Sequence, residues 1–218
     1  MWKRALKATS DYLALVRNPV PPSEAVLFRF RAPEDVARWK VFTDQPYGGR
    51  TAAGFELSPT EPESAVFSGT VSPEFDKAAS QLQRSGFCGI IAEQAPGQCW
   101  DLEPFDSLVI RARGDGRKYV ATLRTEDWMV GQASQDRWQA FLFARKGVWQ
   151  DVHIPLDRFL LTWRGRLVET RSEINARRVI SIGISLAAGS DEVEQSGDFS
   201  LGLQHIKAER HDGLVQQQ

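Results

Sequence analysis

The chain has 218 residues, 42% of them hydrophobic and 25% charged, with a formal net charge of -1. That is the profile of one ordinary globular domain; it lacks the strongly basic face of a dedicated nucleic-acid binder. No stretch approaches the roughly 18 consecutive apolar residues that a membrane-spanning helix needs.

Residues 1–17, MWKRALKATSDYLALVR, place Trp2, Ala5, Leu6, Leu13 and Val16 on one side of a helical wheel and Lys3, Arg4 and Lys7 on the other. This basic amphipathic pattern is similar to a mitochondrial presequence, with Asp11 as a departure. Three readings are open: a matrix-targeting helix, a helix lying on a membrane surface, or a helix packed on the domain. Asn18-Pro19-Val20-Pro21-Pro22 then breaks any helix, because proline lacks the N–H and restricts the residue before it. The expected organisation is residues 1–22 as this segment and its linker, 23–208 as one β-domain, and 209–218 as a polar tail.

From Pro22 onward, short apolar runs alternate with turn residues. Val26–Phe30 reads as a strand, Pro33–Trp39 as one helical turn, and Trp39–Asp44, Thr51–Leu57, Ala65–Gly69 and Ser85–Ala92 as further strands. Ser107–Arg113 and Arg117–Thr125 flank Gly114-Asp115-Gly116, which predicts a tight hairpin. Trp138–Ala144 and Val148–Ile154 predict a second hairpin around Lys146-Gly147. Leu156–Leu161 reads as a short helix. Arg178–Ala187 puts Ile180, Ile182, Ile184 and Leu186 on one face, and Phe199–Ile206 puts Phe199, Leu201 and Leu203 on one face. Ser58–Ser64 and Gly189–Ser196 read as exposed loops. Some ten strands with few helices and no βαβ alternation predict a sandwich or barrel.

Motifs for chemistry are sparse. His153, His205 and His211 have no Cys or carboxylate at metal-ligand spacing, so no metal site is expected. Cys88 and Cys99 read as reduced thiols in or near the core, with a disulfide across the intervening loop as the other reading. Gly114-Asp115-Gly116-Arg117 lacks the spacing of a phosphate-binding loop, and no GxSxG elbow occurs. Asp101, Glu103, Asp106, Glu126, Asp127 and Asp136 are scattered acids that sequence cannot pair across a cleft. No catalytic residue, cofactor or small-molecule substrate is expected.

Tryptophans are plentiful: Trp39, Trp100, Trp128, Trp138, Trp149 and Trp163 lie in the body. Most are expected in the core, where each ring buries a large area. Trp128, in a loop beyond a strand, and Trp163, followed by Arg164 and Arg166, are the candidate partner anchors, since tryptophan and arginine dominate interface hot spots.

An ordered set of segments carries a resemblance. It runs through Trp39 to Asp44 with Tyr47-Gly48-Gly49, Val66-Phe67-Ser68-Gly69, Arg84-Ser85-Gly86-Phe87-Cys88-Gly89, Asp101-Leu102, Phe105-Asp106 and Arg111 to Tyr119. It continues through Trp138-Gln139-Ala140-Phe141, Trp149 to Pro155, Ile180 to Ser185 and Gly197-Asp198-Phe199 to Ile206. Over about Val26 to Lys207 the chain resembles the complex I intermediate-associated protein 30 family, in the compact form of its plant and algal members. The resemblance implies an all-β, galactose-binding-like jelly-roll sandwich. It also implies a non-catalytic, chaperone-like assembly factor in mitochondria, on the matrix side and peripheral to the inner membrane. Its partners would be membrane-arm subunits of NADH:ubiquinone oxidoreductase and other assembly factors. A retained accessory subunit of complex I and a carbohydrate-binding module are the alternative readings.

Overall fold

The computed structural model describes residues 22–75, 85–126, 136–163, 165–169, 172–188 and 195–211. Two antiparallel sheets face each other across one apolar core, a jelly-roll β-sandwich of the galactose-binding-like kind. The six-stranded sheet runs β3 (Ala52–Leu57), β4 (Ala65–Val71), β13 (Gly197–Glu209), β6 (Ser107–Arg113) and β9 (Trp149–Pro155), with β1 (Glu24–Arg29) also paired to β13. The seven-stranded sheet runs β11 (Arg166–Leu167), β10 (Leu160–Trp163), β8 (Asp136–Phe143), β7 (Lys118–Thr125), β12 (Val179–Ala187), β5 (Phe87–Glu93) and β2 (Trp39–Thr43). A short helix, α1 (Pro33–Ala37), starts with proline, whose missing N–H would have no partner there in any case.

Alternation decides which side chains enter the core. Tyr119, Ala121 and Leu123 of β7 are buried, as are Trp138, Ala140 and Leu142 of β8 and Ile90 and Ala92 of β5. Phe199, Leu201 and Leu203 of β13 share the inner face as expected. A bulge between Leu203 and His205 then shifts the phase, so Ile206 and Ala208 face inward instead of His205 and Lys207. A second bulge, between Val179 and Ser181, corrects the reading of β12: Val179, Ile182, Ile184 and Leu186 are inside, and Ile180 is only half-buried. Aromatic rings close the β1–β2–β3 corner, where Phe28, Phe30 and Phe55 surround Trp39 at centroid distances of 4.7–5.9 Å.

Both expected hairpins are corrected. β6 lies in the six-stranded sheet and β7 in the seven-stranded one, and β8 and β9 divide the same way. The turns at Gly114–Arg117 and Ala144–Val148 are therefore arches between sheets, and the true pairs are β7 with β8 and β6 with β9. The arches are joined, since Gly114 N donates to Arg145 O and Gly147 N to Gly114 O. Asp115 accepts from Arg117 N and Ser200 N, each at 3.0 Å, and Arg117 donates onward to Ser196 O at 2.8 Å. Gly116 sits at φ 97°, the backbone freedom that the Asp-Gly pair signals. Leu156–Arg158 is a single 3-10 turn leading straight into β10, which corrects the expected helix over 156–161.

Asp44 is the polar node of the fold. Its side chain is fully buried, accepting from Thr51 N and Thr51 Oγ1 at 3.0 Å and from Gly86 N at 2.5 Å. Its main-chain oxygen accepts from Tyr47 N and Gly49 N. The carboxylate thus ties the end of β2 to the starts of β3 and β5. Gly49 is obligatory beside it, because a Cβ there would stand 2.1 Å from Asp44 Cγ. Cys88 and Cys99 are both free, Cys88 in the core and Cys99 half-buried with its thiol toward Arg177 O.

A candidate partner-binding face

The outer surfaces of the two sheets differ sharply. On the six-stranded sheet, β13, β6 and β9 present His205, Arg111 and Asp151 in one cross-strand row and Lys207, Val109 and His153 in the next. Charges there are matched: Arg111 with Asp151 at 3.5 Å, Lys207 with Glu24 at 3.1 Å and with Glu209, and Arg113 with Glu61 at 2.5 Å. Hydrogen bonds from its ammonium to Glu209 and Glu24 hold Lys207 above its usual range against the opposing effect of burial. Burial lowers the His205 imidazole, which Asp151 partly offsets and the cations Lys207, Arg111 and Arg29 reinforce. Trp149, expected in the core, lies on this outer face: its ring covers Gly202, with the Arg113 guanidinium 5.3 Å from its centroid. Trp39 and Trp138 are buried as expected, and Trp100 packs against the core.

The outer surface of the seven-stranded sheet is apolar at one end and small in its centre. Because directly opposed residues share a face, register alone builds it. One row runs Phe141, Val120, Ser185, Gly89 and Phe42 across β8, β7, β12, β5 and β2. The next runs Leu160, Gln139, Thr122, Gly183, Ile91 and Lys40. Gly89 is required here, since a Cβ would meet the Phe42 ring at 2.3 Å. At the β8–β10–β11 end, Phe141, Phe143, Leu160 and Leu167 are 62, 58, 54 and 60% exposed. Phe141 and Phe143 stack at a tilt with centroids 5.7 Å apart. Scattered exposed apolar residues are normal; here four large ones occupy four successive cross-strand rows along one edge of the same face. The charges on this face lie at both margins: Glu93 holds Arg124 at 2.9 Å and Lys40 at 3.4 Å at one, and Lys118 and Arg137 stand opposite Phe143 and Thr162 at the other.

Beside Leu160 and Leu167 opens a cavity of about 460 Å³, lined by Trp138, Leu156, Phe159, Leu161, Val168 and Ile174 and rimmed by Asp157, Glu169 and Glu173. A second hollow, about 410 Å³, lies on the charged sheet between Glu24, Arg29, Arg31, Glu63 and Lys207.

The expected anchors fall as follows. Trp128 and Arg164 lie outside the described residues. Trp163 ends β10 and does not follow a helix; it is 48% exposed and opposite the exposed Arg166 in the β10–β11 hairpin. These two border the apolar end, on the opposite side of the strand pair from Leu160 and Leu167. Phe141 and Phe143 were legible only by subtraction: with Trp138, Ala140 and Leu142 inside, the odd-numbered residues of β8 must face out. Among the described residues, no group of three His, Cys, Asp or Glu side chains is placed to hold a metal ion.

Residues 28–203 match the family model described as complex I intermediate-associated protein 30. Among curated relatives, complex I intermediate-associated protein 30, mitochondrial, of Mus musculus is 31% identical over 83% of this chain, and that of Drosophila melanogaster is 29% identical over 96%. The Neurospora crassa protein of the same name is 28% identical over 95%. The chain spans 55, 70 and 82% of these three relatives, so only about half of the mouse protein. Among solved structures, the family 11 carbohydrate-binding module of a Clostridium thermocellum cellulosomal cellulase superposes with TM-score 0.61 at 11% identity, covering 87% of this chain and 96% of that one. A family 30 module superposes at 0.52 with 12% identity, covering 87 and 98%. These two likenesses establish the sandwich fold and no more. The family model goes further, because its match over residues 28–203 runs from β1 into β13 through the segments that build the Asp44 node and both arches, and by that match the chain belongs to the complex I intermediate-associated protein 30 family.

Proposed function

We propose that this chain is a non-catalytic assembly factor that binds intermediates of the mitochondrial complex I membrane arm through the apolar end of its seven-stranded sheet. The relatives' names support complex I as the partner and mitochondria as the compartment; the membrane arm is our own assignment. The observation that carries the docking role is the exposure of Phe141, Phe143, Leu160 and Leu167 along one edge of the same face. Aromatic and aliphatic anchors of this kind form the centre of a hot spot, and a specific interface around them needs roughly 1,000 Å² or more. The face holds immature membrane-arm surface out of water until the next module docks, then releases it. In this reading the protein reaches the inner membrane peripherally, from the matrix side, through its partner.

The test is native electrophoresis with mass spectrometry on mitochondria that contain the protein. Wild type migrates with partial membrane-arm species, and Phe141→Asp/Phe143→Asp, placed on exposed positions, leaves the protein folded but free of them. Migration with the mature complex identifies a retained subunit instead. Absence of the wild type from every complex I species overturns both, and glycan binding by the purified protein would then favour a sugar-binding module.

A further inference from the structure

The cavity beside Leu160 is apolar within and acidic at its rim. Asp157, Glu169 and Glu173 stand at its mouth, and no Lys or Arg is among its described lining residues. An occupant that matches it carries an apolar stripe flanked by cations. This chain contains such a segment: residues 1–17 hold Lys3, Arg4, Lys7 and Arg17 against one acid, Asp11. On a helix, Trp2, Leu6, Leu13 and Val16 recur at intervals that keep one face apolar.

The geometry of the sandwich puts the cavity within reach of that segment. The described chain starts at the end of the sheet where β1 begins, with Ser23 O accepting from Arg210 N. There Glu24 pairs with Glu209, Glu209 with Ser107, and Ser107 with Pro155, the residue before the cavity-lining Leu156. Leu156 N donates to Asp106 O at the same end. Three strand spacings separate Glu24 from Pro155, about 14 Å. A linker over residues 18–23 reaches about 20 Å when extended, and a 17-residue helix spans about 25 Å. Charge, apolar pattern and reach agree on one occupant.

We propose that residues 1–17 dock as an amphipathic helix into the acidic-rimmed cavity formed by Trp138, Leu156, Phe159, Leu161 and Ile174. A tethered segment acts at millimolar effective concentration, so a modest intrinsic affinity suffices. The docking is independent of which partner the protein serves.

The test is disulfide trapping in the full-length chain with Cys99→Ser, Cys88 being buried. Leu6→Cys is paired with Leu167→Cys at the cavity rim. The control pairs it with Val148→Cys, at the opposite end of the sandwich and 51% exposed against 60% for Leu167. Docking gives an intramolecular bridge at 167 about tenfold faster than at 148, as effective concentration requires. Lys3→Glu/Arg4→Glu/Lys7→Glu removes that advantage, and adding Glu169→Lys/Glu173→Lys restores part of it. Equal rates at 167 and 148, an advantage indifferent to both charge reversals, or bridges that are only intermolecular overturn the proposal. So does capture of the segment by vesicles of one part cardiolipin to four of phosphatidylcholine with no trapping at 167 in their absence. Because complex I migration is read separately, failure of the trap and failure of the assembly role are distinguishable.

Discussion

Replacing Asp44 by alanine removes the acceptor for three hydrogen bonds at the junction of β2, β3 and β5. Deleting a buried carboxylate also relieves its desolvation, and the balance depends on what the donors do next. Thr51 Oγ1 keeps the Ser72 main chain within reach, at 3.3 Å from its oxygen and 3.2 Å from its nitrogen. The N–H groups of Thr51 and Gly86 have no other acceptor among the described residues. Two orphaned buried amides at about 1–3 kcal/mol each give a net loss of roughly 3–4 kcal/mol. For a chain of this length that is a fall in Tm of about 10 °C. Asp44→Asn keeps an accepting oxygen and the shape, and costs about 2 kcal/mol. Urea denaturation followed by circular dichroism and tryptophan fluorescence, with coincident transitions and an unchanged m-value, measures both. A loss below about 1 kcal/mol for the alanine variant, or an asparagine variant less stable than the alanine one, would refute the assignment of Asp44 as the node.

Other outcomes follow from the same structure. Gly49→Ala puts a methyl 2.1 Å from Asp44 Cγ and destabilises by about 1–3 kcal/mol. Combined with Asp44→Ala its cost shrinks, because the clash is gone, and a double-mutant cycle in urea reads that coupling. Burial, reinforced by the Asp44 charge, pushes the Cys88 thiol up to about 12. Native protein at pH 8 therefore takes one equivalent of iodoacetamide, at Cys99, as mass spectrometry reads. The unfolded chain releases the Cys88 proton first, so stability is intact below about pH 9 and declines from there toward pH 12, at up to about 1.4 kcal/mol per unit from this thiol. Cys88→Ala flattens that alkaline slope, and an unchanged slope contradicts the burial argument.

The sandwich was legible because alternation in β7 and in the first half of β13 is unbroken, with Tyr119, Ala121 and Leu123 inside one and Phe199, Leu201 and Leu203 inside the other. The arches were not. Two strands flanking an Asp-Gly turn show the same inward alternation whether they lie side by side in one sheet or face each other across the core. Only the partners β8 and β9, some twenty or more residues further on, settle which. The bulges at Val179/Ser181 and Leu203/His205 were equally hidden, since one extra residue reverses the phase without changing composition. The exposed face escaped for a related reason. In Ala140-Phe141-Leu142-Phe143 every residue is apolar, so polarity does not separate inside from outside. Trp163 stood out because tryptophan and arginine are conspicuous, and the structure puts it next to the apolar end, with Phe141 and Phe143 as the larger exposed pair.

Strand β13 has one further consequence, which concerns the order of events when the chain is made. It is the last strand described, yet it lies in the middle of its sheet, paired with β4 over its first half, β1 over its second, and β6 along the other side. Without it, the sheet falls into a β3–β4 hairpin, a β6–β9 pair and an unattached β1. A chain emerging from a ribosome or a translocation pore with its first residue leading cannot complete this half of the sandwich until residues 197–209 have arrived. Closure of contacts so distant in sequence is slow. The six-stranded half of the sandwich thus stays open, and exposed to aggregation, until its keystone strand is inserted.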